Sequence, residues 1–134
     1  MKKSKSSPLG KALRLLSYRP RSVKEIATRV DASTAKQLTD INLLNDQEFA
    51  DWYVASRLRS RPMSKRLLTV ELKRKGIAPE TISASLTGVN DHQSAVVALD
   101  KKKTLKSYKQ ACSFLSSRGF SWEVIEKATK NRYN

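Results

Sequence analysis

The sequence has few of the residues from which disulfide, metal or catalytic sites are built. Its 134 residues include a single cysteine, Cys112, and a single histidine, His92. One cysteine excludes an internal disulfide and any zinc site made of several cysteines. No apolar run approaches the ~18 residues of a membrane span, and no apolar segment follows the basic N-terminus as it does in a secretory signal. We therefore expect a cytoplasmic protein with no membrane partner.

Candidate catalytic groups are equally scarce. His92 falls in segment 88–92, which is predicted to link two helical units, so a solvent-exposed or helix-first-turn histidine is favoured over a catalytic one. The carboxylates are scattered singly and, like Glu71 and Asp100, lie near Lys or Arg at helical spacing, which is typical of surface ion pairs. Cys112 is interpreted as a small, half-buried hydrophobic residue. We expect a protein that is not an enzyme and uses no metal or cofactor.

Positive charge is what the sequence has in excess. Lys and Arg number 27 against 12 Asp and Glu, which gives a net charge of +15 and a pI of about 10.3. Such an excess favours a polyanionic partner. Nucleic acid or a nucleoprotein is favoured over anionic lipid, because no segment combines a basic face with the apolar face of an interfacial helix.

The apolar residues repeat at helical spacing almost throughout, and no segment alternates with a period of two. Ser22 is predicted to cap a helix, with Glu25 completing a capping box. Asp46 is predicted to cap the next long helix, on whose face Trp52 is assigned to the core while Tyr53 is left open. The sequence therefore predicts an all-α protein.

Self-comparison reveals a repeat of about 42 residues. Segment 19–22 aligns with 61–64 at an offset of 42, and segment 72–82 aligns with 115–125 at an offset of 43. We predict a basic flexible tail over 1–7 and three-helix repeats over 8–45, 46–88 and 89–134. Each unit is too small to bury much apolar surface alone, so neighbours must pack together, forming an elongated, curved scaffold.

Two glycines recur in this repeat, each preceded by a basic residue and followed by an apolar one. Gly76 lies between Lys75 and Ile77, and Gly119 lies between Arg118 and Phe120. This pattern predicts a helix C-terminus closed by a left-handed glycine, with the apolar residue folding back onto the helix. The glycines are predicted to be structural, because no glycine-rich cluster typical of a phosphate-binding loop surrounds them.

The basic residues cluster at the predicted helix junctions. Segment 57–75 holds eight basic residues against one acidic residue, Glu71. Smaller clusters occupy the corresponding junctions of the first and third units. A regular spacing of basic patches suits a periodic polyanion such as a nucleoprotein filament or an extended strand. The candidate filament- or nucleic-acid-binding residues are Arg19, Arg21, Arg57, Arg59, Arg61, Lys65, Arg66, Lys73, Arg74, Lys75, Lys101, Lys102 and Lys103.

Three segments resemble signature motifs of a known family. Segment 13–22 followed by Glu25 is similar to the opening signature of the RecX family of recombinase regulators, and segment 43–50 with Tyr53 and 56–57 is similar to its central motif. Segment 66–77 matches the motif that follows. The resemblance extends over most of the chain, from about residue 9 to residue 128.

The resemblance implies a fold of tandem three-helix repeats and binding to the RecA recombinase filament on single-stranded DNA. It implies restraint of ATP hydrolysis and strand exchange, in DNA repair and the damage response. Carried over, Arg57, Arg66, Lys73 and Arg74 are contact candidates, whereas Glu71 and Gly76 hold the helix and its cap. We expect a monomer that binds single-stranded and also duplex DNA. A helix-turn-helix-like module, with 64–75 in a DNA major groove, and an RNA-associated protein remain alternatives.

Overall fold

A computed structural model describes residues 7–133, and every element in that range is an α-helix. The helices are α1 (Pro8–Tyr18), α2 (Val23–Ala27), α3 (Ala32–Asp40), α4 (Asp46–Ser60), α5 (Lys65–Arg74), α6 (Pro79–Ser85), α7 (Asp91–Lys101), α8 (Tyr108–Ser117) and α9 (Trp122–Thr129). The predicted all-α fold is confirmed. Residues 1–6 of the predicted basic tail lie outside the described range.

The helices form three groups of three, each around its own core. The first core consists of Ala12, Ile26, Leu38 and Leu44, the second extends from Phe49 to Val89, and the third extends from Ala95 to Ala128. The most extensively packed helix pairs, such as α4 with α6 and α7 with α9, lie within one group. This grouping confirms the tandem three-helix architecture. Val89, assigned by the sequence to the third unit, packs in the core of the second.

Serine residues cap the second helix of each unit. The hydroxyl oxygens of Ser22, Ser64 and Ser107 accept hydrogen bonds from backbone N–H groups three residues later, at 3.0, 3.1 and 3.2 Å. The predicted cap at Ser22 is therefore confirmed. The reciprocal half of its capping box is not formed, because the Glu25 carboxylate binds two arginines instead.

The cap predicted at Asp46 is wrong. Asn45 is the N-cap of α4, and its side chain accepts a hydrogen bond from the Glu48 N–H at 3.1 Å. Asp46 is the first residue of the helix, and its carboxylate accepts a hydrogen bond at 2.8 Å from the backbone N–H of Val23, the first residue of α2. Asp46 thus joins two units instead of capping its own helix.

Both predicted glycine caps are confirmed. Gly76 and Gly119 each have φ +85°, and the following residues, Ile77 and Phe120, are buried. Each loop makes the paired backbone hydrogen bonds of a Schellman motif, such as Ile77 N–H to Leu72 O at 3.1 Å and Gly76 N–H to Lys73 O at 3.0 Å. These loops fix where the third helix of the unit begins.

The two unit junctions are built from the same contacts. As Asp46 does for Val23, the Asp91 carboxylate accepts a hydrogen bond at 2.9 Å from the N–H of Lys65, the first residue of α5. The side chains of Lys24 and Arg66, one residue further along α2 and α5, each donate to a backbone carbonyl of the next unit's glycine loop at 3.4 Å. An aspartate at a helix N-terminus also complements the helix dipole.

No helix within residues 7–133 is long and apolar enough to cross a membrane.

Candidate nucleic-acid interface

Most of the basic cluster predicted in the middle unit is open to solvent. Seven of its side chains are exposed and form no ion pair within residues 7–133. They lie along the end of α4, the start of α5 and the end of α5. These seven are Arg59, Arg61, Lys65, Arg66, Lys73, Arg74 and Lys75. Cations without a carboxylate partner remain available to an external anion.

Arg57 belongs to a hydrogen-bonded triad. The Tyr53 hydroxyl donates to Glu71 Oε1 at 2.5 Å, and Arg57 Nε donates to both the Tyr53 oxygen and Glu71 Oε1 at 3.2 Å. The Arg57 guanidinium lies 5.1 Å from the centroid of the Tyr53 ring. Burial raises the pKa of Tyr53, and the hydrogen bond to Glu71 raises it further, so the phenol stays protonated. The triad holds Arg57 in place with 38% of its side chain still exposed.

Arg19 and Arg21 share one carboxylate. Glu25 Oε2 accepts from Arg19 Nη2 at 2.7 Å and from Arg21 Nη1 at 2.9 Å. Burial alone would raise the pKa of Glu25, but the hydrogen bonds from the two arginines outweigh it and lower that pKa. Arg21 is only 13% exposed and also donates to the Leu15 carbonyl, so most of its side chain is taken up by packing. Arg19 is 32% exposed.

A pocket of about 220 Å³ lies between the first and second units. Its cations are Arg19, Arg57 and Lys75, and its aromatic rings are those of Phe49, Trp52 and Tyr53. The Arg19 guanidinium lies 5.5 Å from the centroid of the Trp52 ring. Trp52, which the sequence assigns to the core, is half-buried: it packs against the second core and also lines this pocket, whereas Tyr53, which the sequence left open, is buried in that core.

Arg66 lies at the junction between the second and third units. Its side chain is exposed, yet Nη2 donates to the Gly119 carbonyl at 3.4 Å. The start of α5 beside it is covered: Ser64 is 1% exposed, and its backbone N–H donates to the Arg118 carbonyl at 3.0 Å. Arg66 therefore contributes to the joint as well as to the positive surface.

The predicted lysines of the third unit lie at the end of α7. Lys101 and Lys102 line a pocket of about 190 Å³ between the second and third units, together with Phe114 and Arg118. The Arg118 guanidinium lies 4.7 Å, and Lys102 Nζ 5.8 Å, from the centroid of the Phe114 ring. Lys103 follows in an exposed loop.

The candidate site residues predicted from the sequence do not include Arg118, and for Phe114 the sequence favours a core position over stacking on a base. Arg118 Nη1 donates to the Pro62 carbonyl at 3.1 Å, which anchors it across the unit junction. The signal was present in the repeat, because aligning Gly76 with Gly119 places Lys75 on Arg118. Lys75 is already a candidate binding residue, so the same alignment extends the candidate set to Arg118.

The described residues offer no metal-binding group. Among residues 7–133, no three His, Cys, Asp or Glu side chains lie together as metal ligands would. His92 is exposed in the first turn of α7, and Cys112 is half-buried against the third core. Cations and aromatic rings line both junction pockets, which suits an anion.

The middle unit and the whole chain match known proteins. A family model described as RecX, second three-helix domain, matches residues 45–86. The chain is 31% identical to the regulatory protein RecX of Chlorobaculum tepidum, over 94% of this chain and 88% of that protein. It is 34% identical to the regulatory protein RecX of Bacillus subtilis, over 88% of this chain. The chain spans about half of the Bacillus protein, 52% of its length.

The fold also matches a solved structure. The crystal structure of RecX from Lactobacillus salivarius superimposes with a TM-score of 0.72 over 92% of both chains, at 20% identity. At that identity the match concerns the fold alone. The near full-length relative at 31% identity, together with the three-helix family model in the middle unit, establishes the relationship: this chain belongs to the RecX family of regulatory proteins.

Proposed function

We propose that the chain binds the RecA recombinase filament on single-stranded DNA and inhibits its ATPase and strand-exchange activities. In this role it acts in the cytoplasm as a monomeric regulator without catalytic activity of its own. The three units form an elongated array that follows the filament, with units over 8–45, 46–88 and 89–134. Contact is made by the basic residues of the unit junctions, to the recombinase, to the single strand and also to duplex DNA.

The exposed cations of the middle unit are the observation that carries this proposal. Lys73, Arg74 and Lys75 are consecutive residues at the C-terminal end of α5. All three are exposed, and none forms an ion pair in the described part of the chain. A polyanion gains affinity from such residues because each neutralised phosphate releases counterions. The family model covers this same unit, residues 45–86.

The geometry of α5 disfavours the helix-turn-helix alternative. A recognition helix inserts its N-terminal residues into the major groove. Here the first turn of α5 packs against the third unit, where the Lys65 N–H donates to Asp91 and Ser64 is buried. Lys65 and Arg66 are exposed at this end too, but the larger group of exposed charges, Lys73, Arg74 and Lys75, lies at the opposite end of the helix, which suits contact with a backbone or a protein surface.

The test is the single-stranded-DNA-dependent ATPase rate of the host's own RecA, titrated with this protein. We expect inhibition by the wild type, and a shift of about tenfold or more to higher concentration for Lys73→Glu/Arg74→Glu, because two cationic contacts are reversed. Lys127→Glu/Lys130→Glu is the matched control, since it makes the same charge change on exposed residues at the far end of the chain. Circular dichroism checks that all variants keep their helical content.

The stoichiometry of inhibition distinguishes two modes of binding, and an unchanged ATPase rate would contradict the proposal. Inhibition well below one regulator per recombinase supports capping of the filament, and inhibition near one to one supports coating of its groove. An unchanged rate, with binding to naked DNA retained, contradicts the proposal and favours a nucleic-acid-binding module that acts without a recombinase. Equal inhibition by the wild type and Lys73→Glu/Arg74→Glu removes the end of α5 from the mechanism.

A further inference from the structure

The two junction pockets occupy equivalent places in the repeat. Aligning the first residue of α4 with that of α7 places Tyr53 on Ala98, Ser56 on Lys101 and Arg57 on Lys102. All six of these residues line the pockets, three in each. Aligning the glycine loops places Lys75 on Arg118, and these two residues also line the corresponding pockets. The pockets therefore recur once per unit junction.

Each pocket is closed from one side by the preceding unit. Arg19 of the first unit lies over Trp52 in the first pocket. Ser60 and Pro62 of the second unit line the second pocket, and Arg118 donates to the Pro62 carbonyl. Segments 19–22 and 61–64 are the ones that align in the sequence. Both pockets thus consist of the same three parts. The unit's first helix, α4 or α7, contributes its C-terminal half, and the glycine loop of the same unit contributes the second part. The third part is the end of the first helix of the preceding unit, α1 or α4.

The cations are held in position by aromatic rings. Arg57 lies 5.1 Å from the Tyr53 ring centroid in the first pocket, and Arg118 lies 4.7 Å from that of Phe114 in the second. A cation on an aromatic face has less conformational freedom to lose when it binds an anion. Aromatic rings beside cations are also the combination with which proteins bind single-stranded nucleic acid.

The second pocket carries the more poorly compensated charge. In the first pocket, Arg19 and Arg57 are paired with Glu25 and Glu71. In the second, Phe114 occupies the position equivalent to Glu71, and within residues 7–133 none of Lys101, Lys102 and Arg118 forms an ion pair. Burial lowers the pKa of Arg118, and the nearby charge of Arg61 lowers it further. An anion bound between these cations relieves that repulsion.

We propose that the two junction pockets bind phosphate groups of one single strand of nucleic acid, at points separated by one repeat of the protein, with the tighter contact between the second and third units. This inference rests on the proposed function in taking a nucleic acid as the partner. Single-stranded nucleic acid is favoured over an acidic protein surface because aromatic rings accompany the cations at both sites.

The test measures binding of a fluorescein-labelled oligodeoxythymidine by anisotropy across a salt series, with no recombinase present. Lys101→Gln/Lys102→Gln removes two cations from the second pocket, and Lys75→Gln removes one from the first. Lys127→Gln/Lys130→Gln is the control, because it removes two exposed lysines that line neither pocket.

The expected effects follow from counterion release. The slope of log K against log salt is negative, and each lost phosphate contact reduces its magnitude by about 0.7. The same loss lowers the affinity by about fivefold at ~0.1 M salt. Lys101→Gln/Lys102→Gln therefore weakens binding about 25-fold, Lys75→Gln about fivefold, and the combined variant about a hundredfold. The effects multiply because one strand occupies both pockets at once, whereas the control keeps the wild-type slope.

Three outcomes separate this inference from the proposed function. If the pocket variants keep the wild-type salt slope on the oligonucleotide, the pockets do not bind the strand, whatever the recombinase assay gives. If the pocket variants show a shallower salt slope than the wild type, while the wild-type protein leaves the RecA ATPase rate unchanged, the pocket assignment stands and the recombinase proposal is contradicted. Loss of ATPase inhibition with unchanged oligonucleotide binding assigns the pockets to a protein partner and overturns the inference.

Discussion

Replacing Gly119 with alanine should destabilise the protein more than the same change at Gly76. Both glycines have φ +85°, so alanine at either position pays about 1–2 kcal/mol for the left-handed backbone. At Gly119 the added Cβ would lie 2.5 Å from Ser64 Oγ and 2.9 Å from Leu67 Cβ. Ser64 is buried and its hydroxyl caps α5, so displacing it costs about 1 kcal/mol for the cap and at least about 1 kcal/mol for overpacking. We expect a loss of about 4 kcal/mol.

At Gly76 the neighbour is the side chain of Lys24. The added Cβ would lie 2.6 Å from Lys24 Cδ and 2.9 Å from its Cβ. Lys24 is exposed, so its Cδ can move into solvent, but its Cβ is held by the α2 backbone and needs a small shift of that helix. We therefore expect a loss of about 3 kcal/mol at Gly76, about 1–2 kcal/mol from the backbone conformation and at least about 1 kcal/mol from the contact with Lys24 Cβ, without the further loss of a helix cap.

Denaturation with guanidinium chloride, followed by circular dichroism, measures the free energy of unfolding of both variants. Gly119→Asn and Gly76→Asn separate the two causes, since asparagine tolerates the left-handed conformation but still carries a Cβ. Asparagine should recover the backbone part of the loss at both positions and leave the larger residual loss at residue 119, where its Cβ still displaces the Ser64 cap. Equal losses for the two alanine variants, or a Gly119→Asn protein as stable as the wild type, would refute the argument from the Ser64 contact.

Three further predictions concern the joints and the buried charges. Asp46→Ala should lower the free energy of unfolding by about 1 kcal/mol, because the N–H of Val23 and the α2 dipole lose their acceptor, while Asp51→Ala on the exposed face of α4 should change it little. Tyr53→Phe should cost about 1 kcal/mol, since the hydroxyl joins Arg57 and Glu71, and thermal unfolding measures both effects. The folded-state pKa of Glu25 lies below its ordinary value of 4.5, so its contribution is present above that pH and is lost as the pH falls through the lowered pKa. Glu25→Gln should therefore flatten the acid limb of the stability curve, and an unchanged limb would contradict the pairing with Arg19 and Arg21.

The features that the sequence predicts correctly are local ones. A left-handed glycine between a basic and an apolar residue encodes its own Schellman motif, because all the hydrogen bonds involved lie within one turn of the helix. Ser22 caps α2 for the same reason, since its acceptor and the Glu25 N–H are three residues apart. The repeat is visible because equivalent apolar positions such as Leu72 and Leu115 are both fully buried.

The features that the sequence misassigns depend on contacts beyond a single helix. Asn45 and Asp46 are both good capping residues, and only the position of Val23 in space decides that Asp46 binds another helix. Glu25 has the spacing of a capping box, but two arginines with fixed charges compete successfully for its carboxylate. Trp52 packs against the second core as its helical position predicts, and only the position of Arg19 in the preceding unit, over its ring, makes it a pocket residue as well.

Architecture and charge are coupled in this fold through the glycine loops. In each loop the residue before the glycine carries a cation into the junction pocket, Lys75 in one case and Arg118 in the other, while the glycine itself packs against the preceding unit. The spacing of the charges is therefore set by the same contacts that stack the units. A substitution at Gly119 alters both the stability of the joint and the position of Arg118. Changes at Lys101 and Lys102, which lie at the exposed end of α7, remove charge and one contact with the Phe114 ring but leave the glycine loop in place, and so they test binding without disturbing the stacking of the units.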